Sequence, residues 1–219
     1  MNKRVMELNK VEVWDGNMAN SQALRQADVD VVAAYPITPS TATVENYCMF
    51  HANGYIDGEV MMTESEHAAM SACVGAGAAG GRVATATSSQ GLALMIEVLY
   101  QASGMRIPVV LCLVNRALAA PLNVNGDHSD LYLTRDSGWI SIDAFNPQEA
   151  YDMTLMSFKI SEHPAVRLPV ISNQDGFMTS HTAQNVTPLE DKVACDFVGP
   201  YLQVNALLNF DKPVTHGVQ

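Results

Sequence analysis

The feature that most constrains the fold is a regular alternation of short apolar runs with longer helical segments along the chain. Apolar runs without polar alternation are typical of strands buried on both faces, and helices between them are the connections that parallel strands need. The sequence therefore predicts the α/β class, with one parallel sheet that carries helices on both faces. The predicted strands are Val29–Tyr35, Glu59–Met62, Arg82–Thr87, Val109–Val114, Trp139–Asp143 and Leu168–Ser172. The predicted helices are Met18–Ala27, Thr41–Ala52, Glu66–Gly80, Gln90–Ser103 and Pro147–Ile160.

The length of 219 residues and the hydrophobic content of 48% suit one large domain with a sizeable core. We expect residues 1–187 to form the α/β domain. Residues 188–219 contain fewer apolar side chains and include the polar stretch Asp211–Val214. This composition predicts a linker or docking arm toward a second domain that is missing from the sequence.

Charge and hydropathy argue against two kinds of partner. A formal net charge of −11 disfavours the basic surface that binds a phosphate backbone, so we expect no nucleic acid partner. The acidity suits either attraction of a basic partner or simple solubility, and the sequence leaves both open. No apolar run approaches the roughly 18 residues of a membrane-spanning helix, and no apolar segment follows the basic residues at the start. We therefore expect a cytoplasmic protein with no membrane partner.

The four cysteines lie far apart, without the close spacing that holds zinc or an iron–sulfur cluster. Any such cluster is therefore expected on another chain. Cys73 and Cys112 lie within apolar runs, where a free cysteine usually packs as a small core residue.

Parallel α/β sheets bind ligands beyond the carboxyl ends of their strands, in the loops that lead into helices. Three candidate residues lie in such loops, and each has two interpretations. Thr38, in a turn bracketed by two prolines, suits either an anion site or a helix N-cap. Glu66 opens a helix, either as a catalyst or as a first-turn carboxylate stabilised by the dipole. Arg116 ends a strand, where it can grip a carboxylate by two hydrogen bonds or pair with a neighbouring acid.

Other chemistries find little support in the sequence. There is no Gly-x-Ser-x-Gly elbow of a hydrolase and no phosphate loop of the Gly-x4-Gly-Lys-Ser/Thr type. His67 and His128 have no partner that spacing identifies, so we expect structural roles for both.

Seven short motifs occur in a fixed order along the chain. They are Asp15-Gly16-Asn17, Tyr35-Pro36-Ile37-Thr38-Pro39-Ser40, Glu64-Ser65-Glu66-His67-Ala68-Ala69, Ser89-Gln90-Gly91-Leu92, Asn115-Arg116-Ala117-Leu118, Asp127-His128-Ser129-Asp130 and Asp175-Gly176-Phe177. From about residue 12 to the end, the chain resembles the amino-terminal domain of pyruvate:ferredoxin oxidoreductase, the alpha subunit in multi-chain forms of the 2-oxoacid:ferredoxin oxidoreductases. The resemblance implies a thiamine-diphosphate-binding fold of the pyrimidine type, with the cofactor shared between this domain and a partner.

The resemblance also implies roles for individual residues. Glu66 matches the glutamate that hydrogen-bonds a ring nitrogen of the aminopyrimidine and promotes deprotonation of the thiazolium carbon. Thr38 and Arg116 match the residues that hold the carboxylate and carbonyl of the substrate. Pro36 matches a residue whose main-chain carbonyl faces the amino group of the pyrimidine, and Val124 lies near the implied substrate pocket. Glu66, Arg116 and Thr38 are thus the expected catalytic residues.

The sequence departs from the superfamily by lacking the Gly-Asp-Gly motif that binds the diphosphate and its Mg²⁺. We therefore expect a beta-type partner subunit that carries the diphosphate and Mg²⁺ site and the iron–sulfur cluster, with ferredoxin as electron acceptor.

The function implied by the resemblance is oxidative decarboxylation of a 2-oxo acid, pyruvate, to an acyl-coenzyme A, by an enzyme active only with its partner domain or subunit. The stretch from Arg116 to Asp130 resembles the pyruvate branch, and the uncharged Thr38 suits a monocarboxylic acid. A second carboxylate would need another cation, for which Arg135 is the nearest candidate. The alternatives are a truncated or split subunit that serves mainly as an assembly scaffold, and a fragment of a longer enzyme that is inert in isolation.

Overall fold

The computed structural model describes residues 3–201 and 206–215. The strands in this part of the chain are β1 (Glu12–Trp14), β2 (Val31–Ala34), β3 (Glu59–Met62), β4 (Val83–Thr87), β5 (Val109–Asn115), β6 (Ile140–Ala144), β7 (Val170–Asp175) and β8 (Gln184–Val186). The helices are α1 (Gly16–Gln26), α2 (Thr41–Ala52), α3 (Glu66–Ala79), α4 (Ser89–Gly104), α5 (Ser129–Tyr132), α6 (Pro147–Ser161) and α7 (Asp191–Val198).

Six parallel strands form the central sheet in the order β3-β2-β4-β5-β7-β6. All six predicted strands and all five predicted helices occur, with ends that differ by a few residues, so the predicted α/β class and parallel sheet are confirmed. The sequence prediction missed α5, α7 and a small antiparallel sheet in which β1 pairs with β8. β1, β8 and α5 have three or four residues each and are too short to produce a periodic apolar pattern. The eight residues of α7 do carry apolar side chains at helical spacing, at Val193, Ala194, Phe197 and Val198, and the sequence prediction did not use this pattern.

The core lies in two layers, one on each face of the sheet. Alternate residues of β5 belong to different layers, as Val110 packs in the layer with α1, α2 and α6, and Leu111 packs in the layer with α3 and α4. Cys73 and Cys112 are fully buried, as predicted, and burial raises the pKa of each thiol to about 12. Every residue of β4 and β5 is buried, which explains the unbroken apolar run Val109–Val114 in β5.

The segment that follows residue 187 begins with α7, and an ion pair fastens this helix to α1. Arg25 donates to the two carboxylate oxygens of Asp191, over 2.8 and 2.6 Å, and only 5% of Arg25 is exposed. The domain boundary at residue 187 stays a prediction, and residues 202–205 and 216–219 of the predicted arm lie outside the described residues. Within residues 3–201 and 206–215, no helix is both long enough and apolar enough to cross a bilayer.

Candidate functional site at the carboxyl edge of the sheet

The turn after β2 carries two of the predicted site residues, and a buried asparagine holds it in place. Pro36 and Thr38 are both exposed in this turn. The Asn17 side chain is fully buried; its Nδ2 donates to the Pro39 carbonyl over 3.0 Å, and its Oδ1 accepts from Thr43 Oγ1 over 2.8 Å. The turn is therefore anchored to both α1 and α2, and it presents Pro36 and Thr38 outward.

Ser40 precedes α2, but its side chain does not cap that helix. Its hydroxyl donates instead to the Ile37 carbonyl over 2.8 Å and so closes the turn on itself. Neither Thr38 nor Ser40 therefore supplies a side-chain cap to α2, and within the described residues the Thr38 hydroxyl has no hydrogen-bond partner. That hydroxyl is free to bind a ligand.

Glu66 is the first residue of α3 and is 7% exposed. The N-cap Ser65 fixes this end of the helix, because its Oγ accepts from the Ala68 N–H over 3.1 Å. No group of the described residues hydrogen-bonds the Glu66 carboxylate. The carboxylate oxygens of Glu66 are therefore without a protein partner in the described part of the chain, at the edge of the sheet, where a ligand could meet them.

Arg116 directly follows β5 and is 5% exposed. Its Nη1 donates to the Thr38 carbonyl and its Nη2 to Gln90 Oε1, each over 2.7 Å. The buried Nε has no partner among the described residues. Burial lowers the pKa of Arg116, and the nearby carboxylates of Asp130 and Glu66 oppose that effect.

The contacts of Arg116 bear on its two interpretations, as a residue that grips a substrate carboxylate or as one half of an internal ion pair. Its side chain contacts a carbonyl and an amide, and it forms no ion pair with a carboxylate of the described residues. These contacts favour the carboxylate-binding interpretation over an internal ion pair, and the role of Arg116 stays a prediction. The guanidinium keeps its positive charge available at the edge of the sheet.

Asp130 is a structural part of the site that the sequence prediction did not single out. It is fully buried and accepts from the Ser89 N–H over 2.9 Å, the Arg116 N–H over 3.0 Å and Asn115 Nδ2 over 2.7 Å. Burial raises the pKa of Asp130, and these donors lower it in part. Because its partners follow β4 and β5, Asp130 ties two neighbouring strand ends together.

The two histidines have partners that lie far away in the sequence. His67 Nε2 lies 3.4 Å from Glu97 Oε2, and His128 Nε2 lies 2.7 Å from Asp175 Oδ1. The His128 pair joins the long loop after β5 to the end of β7. Val124 lies in the same loop and is 40% exposed.

The structure brings all four predicted site residues to one edge of the sheet. Arg116 donates a hydrogen bond to the Thr38 carbonyl, and Pro36 lies in the same turn as Thr38. The Glu66 carboxylate is close enough to raise the pKa of Arg116. Among the described residues, no group of three or more His, Cys, Asp or Glu side chains is arranged to hold a metal ion. Fold and site together define a parallel α/β domain whose four predicted site residues lie at the carboxyl edge of the sheet, where such folds bind ligands.

Residues 22–219 match the family model described as pyruvate flavodoxin/ferredoxin oxidoreductase, thiamine-diphosphate-binding. The chain belongs to this family, which confirms the resemblance carried by the seven motifs and the predicted thiamine-diphosphate-binding fold.

Individual relatives agree with the family. The pyruvate synthase subunit PorA of Methanocaldococcus jannaschii is 49% identical over 95% of this chain and 54% of that protein. PorA of Thermotoga maritima is 50% identical over 92% of this chain and 52% of that protein. The ketoisovalerate oxidoreductase subunit VorA of Pyrococcus horikoshii is 44% identical over 97% of this chain and 54% of that protein. The chain thus spans about half the length of the curated relatives it matches.

A solved structure shares the fold. It is the 2-oxoglutarate:ferredoxin oxidoreductase from Magnetococcus marinus with 2-oxoglutarate, coenzyme A and succinyl-CoA bound. The TM-score is 0.75 and the sequence identity 27%, over 86% of this chain and 33% of that chain.

Proposed function

We propose that this chain is the pyrimidine-binding component of a thiamine-diphosphate-dependent 2-oxo acid:ferredoxin oxidoreductase that oxidatively decarboxylates pyruvate to an acyl-coenzyme A. The observation that carries this proposal is the buried, unpaired carboxylate of Glu66 near a guanidinium that is bonded to the Thr38 turn. Membership of the family supports the cofactor, and the names of the relatives support the reaction class.

The residues present fit the pyrimidine half of the cofactor. Glu66 has a buried carboxylate with no described partner, so it can share a proton with a ring nitrogen. The exposed main chain at Pro36 would accept from the amino group of the ring. Thiamine diphosphate, when bound, would supply the nucleophilic carbon that attacks the 2-oxo carbon of the substrate and the electron sink for the electrons left by the departing carboxylate.

Arg116 and Thr38 would hold the substrate. A guanidinium whose Nη1 and Nη2 each make one internal hydrogen bond keeps a second N–H on each nitrogen, and these groups with the neighbouring Thr38 hydroxyl suit one carboxylate and the adjacent carbonyl. Arg135, the candidate for binding a second carboxylate, is instead paired with Asp136 over 2.9 Å on the exposed surface. The site therefore favours a 2-oxo monocarboxylic acid, and the relatives named for pyruvate and ketoisovalerate act on acids of that class by name.

The rest of the machinery would belong to other subunits. We assign the diphosphate, Mg²⁺ and the iron–sulfur cluster to a beta-type partner, and ferredoxin to the role of electron acceptor, because the relatives are named as subunits and the chain spans about half of their length. The cytoplasmic location expected from the sequence stays a prediction. A scaffold without its own catalytic role is less favoured, because a scaffold gives no reason for a buried unpaired carboxylate.

The test of the Glu66 role is a Glu66→Gln variant in the assembled enzyme. The amide cannot exchange a proton with the ring nitrogen, so we expect hydrogen exchange at the thiazolium carbon and pyruvate oxidation to fall about 100-fold or more. NMR-monitored exchange and a ferredoxin-reduction assay measure the two quantities. Glu45→Gln, at an exposed glutamate of α2, serves as the control. Unchanged exchange and oxidation in Glu66→Gln would favour the scaffold.

A further inference from the structure

The segment from the end of β4 through the first turn of α4 lies between the side chains of Glu66 and Arg116. Gly91 borders the Glu66 side chain, since a Cβ on Gly91 would lie 2.7 Å from Glu66 Oε1. One residue earlier, Gln90 Oε1 accepts from Arg116 Nη2 over 2.7 Å. This turn is therefore placed to set the position of both groups at once.

Gln90 contacts more than the guanidinium. Its Oε1 also accepts from the Ser89 hydroxyl over 2.5 Å, and its Nε2 donates to the Ala119 carbonyl over 3.3 Å. The side chain thus connects the turn, Arg116 and the start of the long loop after β5. Gln90 itself is exposed, so its contact with Arg116 lies on the side of the guanidinium that a ligand can reach.

The main chain beneath Gln90 is held rigidly. Ser89 adopts a left-handed conformation, with φ +48, which a residue with a side chain rarely adopts without support. Asp130 supplies that support through the Ser89 N–H, and the Ser89 hydroxyl also donates to the Ala117 carbonyl over 2.7 Å. Since Asp130 bonds the Arg116 N–H as well, the main chains of residues 89 and 116 share one buried acceptor.

From these contacts we infer that Gln90 is a positioning residue for substrate binding, which holds the Arg116 guanidinium in the orientation that grips the carboxylate. Two anchors fix the guanidinium, the Thr38 carbonyl on Nη1 and the Gln90 amide oxygen on Nη2. With both anchors in place, the guanidinium plane is fixed, so the N–H groups that make no internal hydrogen bond keep a single orientation. Without Gln90, one anchor remains and the side chain regains rotamers that do not bind the acid. This inference rests on the proposed carboxylate-binding role of Arg116.

The experiment compares two variants of Gln90 in the assembled enzyme. Gln90→Met keeps the length of the side chain and removes the acceptor. Gln90→Glu keeps an acceptor at the same side-chain length. Its negative charge lies beside the guanidinium, where it competes with the substrate carboxylate. Gln101→Met, an exposed glutamine of the same helix with no described contact to the site, is the matched control. The readouts are KM and kcat for pyruvate, binding of oxamate as an unreactive monocarboxylate analogue, hydrogen exchange at the thiazolium carbon, and Tm.

We expect both Gln90 variants to raise KM and weaken oxamate binding about ten-fold, the effect of one hydrogen bond to a charged group. Proton exchange and kcat should stay within about two-fold, because Glu66 is untouched. Unchanged KM in both variants, with Arg116→Ala impaired, would overturn the role of Gln90 and leave the proposed function intact. A joint fall of exchange, kcat and Tm in both would show a merely structural role and also overturn it. Unaffected KM in Arg116→Ala would overturn the carboxylate grip, and this inference with it.

Discussion

At the scale of single residues, the site depends on the absence of a side chain at position 91 as much as on Glu66 itself. A Cβ at Gly91 would lie 2.4 Å from Thr87 Oγ1, 2.7 Å from Glu66 Oε1 and 2.9 Å from Glu66 Cγ. All three distances are shorter than real Cβ contacts. The Glu66 carboxylate is the flexible partner in this contact, so a methyl group at position 91 would displace it before it displaced the helix.

We therefore expect Gly91→Ala to slow hydrogen exchange at the thiazolium carbon about 100-fold, since a shift of about one ångström in a reacting group has effects of that size. Gly104→Ala is the control, because it makes the same change in the same helix and no atom lies within 4 Å of the new Cβ. NMR-monitored exchange in the assembled enzyme measures both. Equal exchange rates in the two variants would mean that Glu66 does not need the space beside Gly91.

At the scale of elements, a buried ion pair connects the start of β4 to the ends of α6 and α7. Arg82 Nε and Nη2 donate to the two oxygens of Glu162 over 2.7 and 2.8 Å, and Nη2 also donates to the Gly199 carbonyl over 2.8 Å. The side chains of Arg82 and Glu162 are 7% and 10% exposed. Burial raises the pKa of Glu162, and the guanidinium of Arg82 lowers it in part. This pair lies at the amino edge of the sheet, away from the site.

Replacing Arg82 by methionine would leave the Glu162 carboxylate buried without its cation. We expect Arg82→Met to reduce the free energy of unfolding by about 3–5 kcal/mol, the usual cost of breaking a buried pair. The exposed pair of Lys192 and Asp196 provides the comparison, and Lys192→Met should cost less than about 1 kcal/mol. Chemical denaturation of the two variants measures both values, and similar losses would contradict the importance of burial.

Elements and site residues can be predicted from the sequence where they depend on neighbouring residues, and cannot where they depend on contacts between residues far apart in the chain. The strands of the main sheet and the helices around it were predictable because apolar periodicity depends on neighbouring residues. The same pattern places Glu66, Thr38 and Arg116 in or beside the loops that follow the strands. The partners of these residues were not predictable. Arg116 bonds Thr38 across 78 positions and Gln90 across 26, and Asp130 bonds Ser89 across 41. No sequence spacing encodes such pairs, because strand order and loop conformation bring them together.

At the scale of the whole molecule, the proposed function makes the described residues one side of a site. Thr38 and Pro36 are exposed at the carboxyl edge, and the sequence contains no Gly-Asp-Gly motif for a diphosphate. Affinity depends on how many contacts a preformed site makes with its ligand. A domain that grips only the pyrimidine half of a cofactor should therefore hold it weakly.

We expect the 219-residue chain alone to bind thiamine diphosphate at least about 100-fold more weakly than the assembled enzyme does, because the diphosphate contacts are missing. Isothermal titration calorimetry with thiamine diphosphate and Mg²⁺ measures both affinities. Circular dichroism of the isolated chain controls for its folding. Tight binding at a ratio of one cofactor per isolated chain would contradict the division of the site between two partners.

The ion pair of Arg25 with Asp191 and the hydrogen bond from Arg82 to the Gly199 carbonyl hold α7 against the amino edge of the sheet, opposite the residues that would meet cofactor and substrate. Cys195 lies on α7 and is exposed, whereas Cys73 and Cys112 are buried, and Cys48 is only partly exposed with a thiol pKa that burial raises. A maleimide fluorophore should therefore attach selectively on that helix under native conditions. The fluorescence of such a label would report assembly with other subunits, and the residues at the carboxyl edge of the sheet would remain unmodified.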